Sequence, residues 1–227
     1  MPLFLFDLFG NASIGVYSLV NDRIAIVPPH VPENKRQKVE EWLNVKVVAT
    51  TVGKSLVTGA LACSNSNGVI LPPFATEEEV AAIKSAAADI NVAVMDTKKT
   101  AYGNLVLAND KGAVADPRLK KRVVDRIGDT LGVEVVSTEI AGLPYVGSLA
   151  TATNKGVLAH PMLKEGERKV LEDVLKVPVD VGTVNCGIPY VATGLLGNSY
   201  GAAAGFLTTG PETFIIGQAL DVVKENE

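Results

Sequence analysis

The chain has 227 residues, 47% of them hydrophobic and 5% aromatic, and 21 basic against 25 acidic residues give a net charge of −4. A protein that worked by neutralising phosphates would carry the opposite sign, so free nucleic acid is not the expected partner. Cys63 and Cys186 are too few for a disulfide framework and point to a reducing compartment. The apolar start, Met1 to Phe9, has no basic n-region and contains Asp7, so it reads as a first strand and not as a signal peptide. The uncharged run after Val181 is broken by glycines and Pro189 and does not read as a membrane span. A soluble, cytoplasmic protein is expected.

One pattern recurs along the chain. Gly59–Pro73, Gly103–Pro117 and Gly147–Pro161 each hold an apolar segment, a polar turn closed by Gly, a second apolar segment and a Pro. The turn glycines Gly68, Gly112, Gly156 and Gly201 lie 44, 44 and 45 residues apart, and Arg23 lies 45 before Gly68. Such a period marks a supersecondary unit that cannot bury its apolar face alone and packs against copies of itself. Five units use up residues 1–227, which therefore read as a single domain, and apolar rather than polar end units favour a closed ring over an open solenoid.

In chain order each unit reads strand, turn, strand, Pro, amphipathic helix and Val-rich strand, a β-β-α-β module of an α/β fold. Pro32 opens a helix over 33–43 with Val39, Trp42 and Leu43 inward, and Val45 to Thr50 follows as a strand. After the Asn67-Gly68 turn, Thr76 and Glu79 form a capping box ahead of Val80, Ile83 and Ala87, and a strand runs from Val92 to Met95. In the third unit Gly112 is expected in the left-handed position of a hairpin, followed by a helical stripe of Leu119, Val123, Ile127 and Leu131 and a strand from Val133 to Thr138. The fourth helix carries Val170, Leu171, Val174 and Leu175 before a strand over Val177 to Val181, and the last runs from Thr209-Gly210-Pro211-Glu212 to about Val223. The Val-rich strands are expected to be covered on both faces, with helices outside and strands lining the ring.

Several residues match a known family. Gly182-Thr-Val-Asn-Cys-Gly-Ile-Pro189, the Gly103-Asn104 pair, Asn109-Asp110 and Thr208-Thr-Gly-Pro-Glu212 resemble stretches of the archaeal and eukaryotic translation initiation factor 6 family, over essentially the whole chain. The resemblance implies a closed five-bladed, pseudo-fivefold α/β propeller, the pentein fold, working without a cofactor or catalysis. It implies binding to the large ribosomal subunit, at ribosomal protein L14 and near L24e and the sarcin-ricin loop, so that the small subunit is kept off. A part in large-subunit maturation and a monomeric state are also expected. Carried onto this chain, Asn104 is the foremost contact, joined by Asn65, Asn109, Asn154 and Asn185, and by Ala60 and Ser148, which occupy the Asn104 position in neighbouring units. The departure is Cys186, where many members carry Arg.

Each of these residues also has a plainer reading. Asn65, Asn109 and Asn154 suit turns, since Asn tolerates left-handed backbone and bonds its own main chain. Asn104, placed at a strand start beside Gly103, has no turn to serve. The same five-fold architecture carries guanidine-modifying hydrolases, so Cys186 as a nucleophile is the alternative reading. That chemistry needs a base at the thiol, and His30 and His160 both follow hairpins, at equivalent places far from Cys186. Cys186 and Cys63 then read as small apolar fillers. The cluster Arg118, Lys120, Lys121, Arg122 and Arg126 reads as a solvated helix face offset by Asp116, Asp125 and Asp129. No phosphate loop, metal-ligand spacing or dinucleotide fingerprint is present.

Overall fold

The computed structural model describes residues 3–222; Val223, where the sequence places the end of the last helix, lies outside them. The chain opens with β1 (Leu3–Phe6). A one-turn helix α1 (Ile14–Tyr17) then leads into the hairpin β2 (Leu19–Val20) and β3 (Ile24–Val27), the long helix α2 (Glu33–Leu43) and β4 (Lys46–Ala49). The second unit repeats this as α3 (Thr58–Leu61), β5 (Cys63–Ser64), β6 (Gly68–Leu71), α4 (Glu77–Ala86) and β7 (Asn91–Val94). The third comprises α5 (Tyr102–Leu105), β8 (Val106–Ala108), β9 (Ala113–Ala115), α6 (Lys121–Leu131) and β10 (Val135–Ser137). The fourth comprises α7 (Val146–Leu149), β11 (Ala150–Ala152), β12 (Val157–Ala159), α8 (Glu165–Leu175) and β13 (Val179–Val181). A 3₁₀ turn at Val191–Thr193 opens the fifth, with β14 (Leu195–Gly197), β15 (Ala202–Gly205) and α9 (Gly210–Ala219).

These strands form five three-stranded sheets, each with the second hairpin strand in the middle, antiparallel to the first and parallel to the third. The fifth sheet takes its third strand from the other end of the chain: β1 runs parallel to β15, with Leu3 opposite Ala202 and Phe6 opposite Gly205. The module predicted from the repeat is therefore present, but the short helices that precede each hairpin are not legible in the apolar pattern. At four residues they have no periodicity to read, and Asn104 lies inside one of them, not at a strand start.

Burial is arranged differently from expectation. The middle strands β3, β6, β9, β12 and β15 are buried along their whole length. The Val-rich strands after the helices are sheet edges, with exposed residues at Lys46, Asn91, Ser137 and Asp180, and only their inner positions pack on the cores. A strand with one free edge keeps polar residues where it meets water.

The turn glycines are needed for a reason other than left-handed backbone. Gly68, Gly112 and Gly156 are not among the residues with positive φ. A Cβ on them would instead run into a backbone carbonyl at the end of a neighbouring long helix, Thr130, Val174 and Ala219 respectively. The first unit lacks that glycine: Ile24, not Arg23, takes the equivalent place, its N–H bound to Asn21 Oδ1 as Gly68 N–H is to Asn65 Oδ1.

Neighbouring units meet through the short helices. α1 packs on α3, α3 on α5, α5 on α7, α7 on the 3₁₀ turn and that turn on α1. Gly15, Gly59, Gly103 and Gly147 sit at these crossings, and a Cβ on any of them would strike the backbone of the preceding unit. The short helices and the strand-to-helix loops thus gather at one end of the sheets, and the hairpin turns and long-helix C-termini at the other.

Candidate functional site

At the hairpin end the polar side chains are consumed in joining units. Asn65 Oδ1 accepts from the N–H groups of Asn67 and Gly68, while its Nδ2 donates to the carbonyls of Asn109 (3.1 Å) and Leu131 (2.9 Å). Asn109 repeats the set, donating to Thr153 O (3.0 Å) and Leu175 O (2.8 Å). Asn198 donates to Asn21 O and Leu43 O, and Asn21 to Asn65 O, so one girdle runs through the units. Thr153 holds the fourth place; its hydroxyl accepts from Lys155 and Gly156 N–H and bonds Gly156 O. Next to the girdle, Asn154 Nδ2 bridges Asp22 and Asp110, whose carboxylates also hold Ser199 and Ser66.

This corrects the expected contact set. Asn65 and Asn109 are 2% and 4% exposed with every amide atom bonded, so their side chains present nothing to a partner. Asn185 is 8% exposed, donating from Nδ2 to Ala12 O and accepting at Oδ1 from Thr208. Asn154 is half-buried at the hairpin end, whereas Asn104, Ala60 and Ser148 lie at the opposite, short-helix end. The structure does not bring the predicted residues onto one surface.

At the short-helix end, tight turns follow the sheets at Leu8–Asn11, Val52–Ser55, Ile140–Leu143 and Val184–Ile188. Their corners have positive φ, at Phe9 and Gly10, Gly53 and Lys54, Ala141 and Gly142, and Asn185 to Gly187. Three of them are clamped by a glutamate three residues into the next long helix. Glu79 accepts from Gly53 and Lys54 N–H, Glu167 from Ala141 and Gly142 N–H, and Glu212 from Cys186 and Gly187 N–H. Burial alone would raise the Glu212 pKa, but N–H groups of Thr209 and Gly187 and hydroxyls of Thr183 and Thr209 outweigh it and bring the carboxyl down to about 2. Cys186 sits on such a corner, exposed and not a filler, whereas Cys63 is buried and its thiol is pushed up to about 12 by that burial.

Around these turns the end carries unspent chemistry. Phe9, Leu56, Tyr145, Ile188 and Tyr190 are all exposed here. At the five equivalent short-helix positions stand Val16, Ala60, Asn104, Ser148 and Thr193. The Ser148 and Thr193 hydroxyls bond the carbonyls of Tyr145 and Tyr190 in their own turns. The carboxamide of Asn104, half-exposed, has no hydrogen-bond partner among the described residues. An amide beside exposed aromatics is what a protein-docking surface offers.

A family model described as the eIF-6 family matches residues 4–219. The chain belongs to that family. It is 36% identical to the translation initiation factor 6 of Staphylothermus marinus, across 97% of this chain and 98% of that one. It is 41% identical to the factor of Pyrococcus horikoshii across 96% and 97% of the two chains, and 40% identical to that of Pyrobaculum aerophilum across 94% and 96%. Among solved structures it is similar to a dimethylarginine dimethylaminohydrolase in adduct with S-methyl-L-thiocitrulline, at a TM-score of 0.48 and 12% identity over 76% of this chain and 70% of that one.

The eIF-6 family is one of translation factors and not of enzymes. The cavity lined by the short helices and first hairpin strands measures about 110 Å³, and neither an acid, a histidine nor Cys186 lines it. No histidine bonds the Cys186 thiol among the described residues; His160 accepts from Met162 N–H and packs edge-on against Tyr190. No helix among the described residues is long and apolar enough to cross a membrane.

Proposed function

We propose that this eIF-6 family chain docks through its short-helix end on the large ribosomal subunit and so keeps the small subunit off. The single observation that carries the choice of end is the contrast in hydrogen bonding: the hairpin end has spent its amides on itself, while Asn104 is unpartnered among the described residues, at the end that also exposes Phe9, Leu56, Tyr145 and Tyr190. Ala60 and Ser148 flank Asn104 on the same face and belong to the proposed contact; Asn154, on the far end, drops out of it. The scaffold in this reading is a closed five-bladed propeller of the pentein type acting as one domain, supported by β1 completing the sheet of β15 and by the 3₁₀ turn packing on α1. A monomer suffices, because the block is steric. The protein would work in the cytoplasm, on ribosomal protein L14 near L24e and the sarcin-ricin loop, with a part in subunit maturation. A face burying about 800 Å² would hold such a complex.

Co-sedimentation of the purified protein with separated subunits tests this. The wild type is expected with the large subunit alone, and Asn104→Arg, which sets a charge in the middle of the face, is expected to lose at least about 2 kcal/mol of binding with an unchanged melting temperature. Wild-type protein that stays at the top of the gradient would end the ribosome reading. An Asn104→Arg variant that binds normally would move the contact to another surface.

A further inference from the structure

The third long helix begins unlike the others. In α4, α8 and α9 a glutamate carboxylate fills the corner between the helix N-terminus and the preceding turn. At α2 the corner is filled by Asp7, which holds Gly10 N–H and pairs with Lys35 Nζ at 2.6 Å. α6 has Val123 at that position, no acidic residue in its first turn and no side-chain cap. Beside it the 96–99 loop contributes Lys98 and Lys99, and together they border a groove of about 540 Å³.

Cations stand where the other units hold an anion. Arg118, Lys120 and Arg122 line the groove together with Lys98 and Lys99, and the buried Leu119 and Val123 complete the lining. Lys98, Lys99, Lys120 and Arg122 are exposed, without side-chain hydrogen bonds or salt bridges among the described residues. Arg118 is tied to buried Asp116 at 2.6 Å and lies 4.7 Å over the Tyr145 ring. Against five cations stand Asp116 and the exposed Asp96, so the locality is positive on a chain whose net charge is −4. In sequence the lysine pair is separated from the helix start, so only the fold turns two short clusters into one site.

We propose that this groove takes the phosphate backbone of RNA at the edge of the docking end. Five cations from two elements line the one groove, which suits a polymer with a charge at every residue better than a lone carboxylate. Arg118 in the groove lining lies over the ring of Tyr145, which is exposed on the proposed contact face. In naming ribosomal RNA as the natural source, the proposal rests on the ribosome-binding reading; the groove's affinity for RNA does not.

Two measurements test it. Amide NMR of the labelled protein, titrated at low salt with a short RNA duplex, should shift the signals of residues 97–99 and 119–123 and leave the hairpin end still. No shift at those residues, or equal shifts with polyglutamate of the same charge, would overturn the assignment to RNA. With large subunits, the triple variant Lys98→Ala, Lys99→Ala, Arg122→Ala should flatten the salt dependence of binding, lowering the log–log slope by about 3 between about 50 and about 200 mM salt. Arg118 is left in place so that Asp116 keeps its partner. An unchanged slope would remove RNA from the groove, whereas RNA shifts without any subunit binding would keep the groove and sink the ribosome reading.

Discussion

The two ends of the molecule are built from the same repeats and spend their polar groups in opposite ways. At the hairpin end Asn21, Asn65, Asn109 and Asn198 each bind their own turn and reach into the next unit, and little is left over. At the short-helix end three glutamates hold the turns, while aromatic side chains stay exposed and the Asn104 amide has no hydrogen-bond partner among the described residues. A repeat protein must join its units and also present a surface to its partner. Here the two tasks fall on opposite ends, so substitutions at one end should separate stability from binding.

The largest expected effect is at the girdle. Asn109→Ala removes the partners of Lys111 and Gly112 N–H and of the Thr153 and Leu175 carbonyls, three of the four bonds being buried and the Lys111 bond part-buried. Leaving several buried groups unpaired should cost about 4 kcal/mol, read as a lowered denaturant midpoint, with binding to the large subunit unchanged per folded molecule. Asn104→Arg is expected to do the reverse. If both variants lost stability, or both lost binding, the division of labour between the ends would be wrong.

The clamps come next. Glu212→Gln keeps the shape but loses the charge that the N–H groups of Cys186, Gly187 and Thr209 surround, and should cost about 2 kcal/mol at pH 7. Because the folded carboxyl titrates near 2 against an ordinary 4.5, its contribution is complete above pH 4.5 and is lost as pH falls toward 2. The difference between wild type and variant should therefore shrink across that window in acid-denaturation curves. A gap that stayed constant with pH would mean that packing, not charge, carries the clamp.

Most of the scaffold was legible in the sequence because it is repetitive. The period, the hairpins, the long helices and the Thr76–Glu79 capping box follow from patterns that recur about every 44 residues. The site was less legible. The asparagines in the repeat are what a reader notices, yet Asn65 and Asn109 are noticeable because the fold needs them, and they are buried. Asn104 was legible through the resemblance to a family and not through chemistry, since nothing local tells that its amide is left free. The basic groove needed Lys98 and Lys99 brought beside Arg122, a meeting that depends on the helix of one unit packing on the loop of the unit before.

Thr153 sharpens the comparison with a gain instead of a loss. It is the one girdle position without a carboxamide, and its hydroxyl bonds only within its own hairpin. Thr153→Asn should add a donor directed at the fifth unit, as Asn109 is directed at the fourth, and raise stability by about 1 kcal/mol. A lower melting temperature would show that the pocket beside Gly197, which the Thr153 methyl now faces, is too small for the longer side chain.

The smallest expected effect is at Cys186, and its smallness is informative. The thiol lies exposed at a left-handed corner whose N–H groups are already bound by Glu212, and neither histidine hydrogen-bonds it. A nucleophile would need a base within reach and a pocket for its substrate, and the central cavity has neither that thiol nor an acid in its lining. Cys186→Ser should therefore change stability by less than about 0.5 kcal/mol and subunit binding by less than about twofold. Iodoacetamide should label the wild-type residue no faster than a free cysteine peptide. Fast labelling that depends on His160 would show an activated thiol and reopen the question of catalysis at this turn.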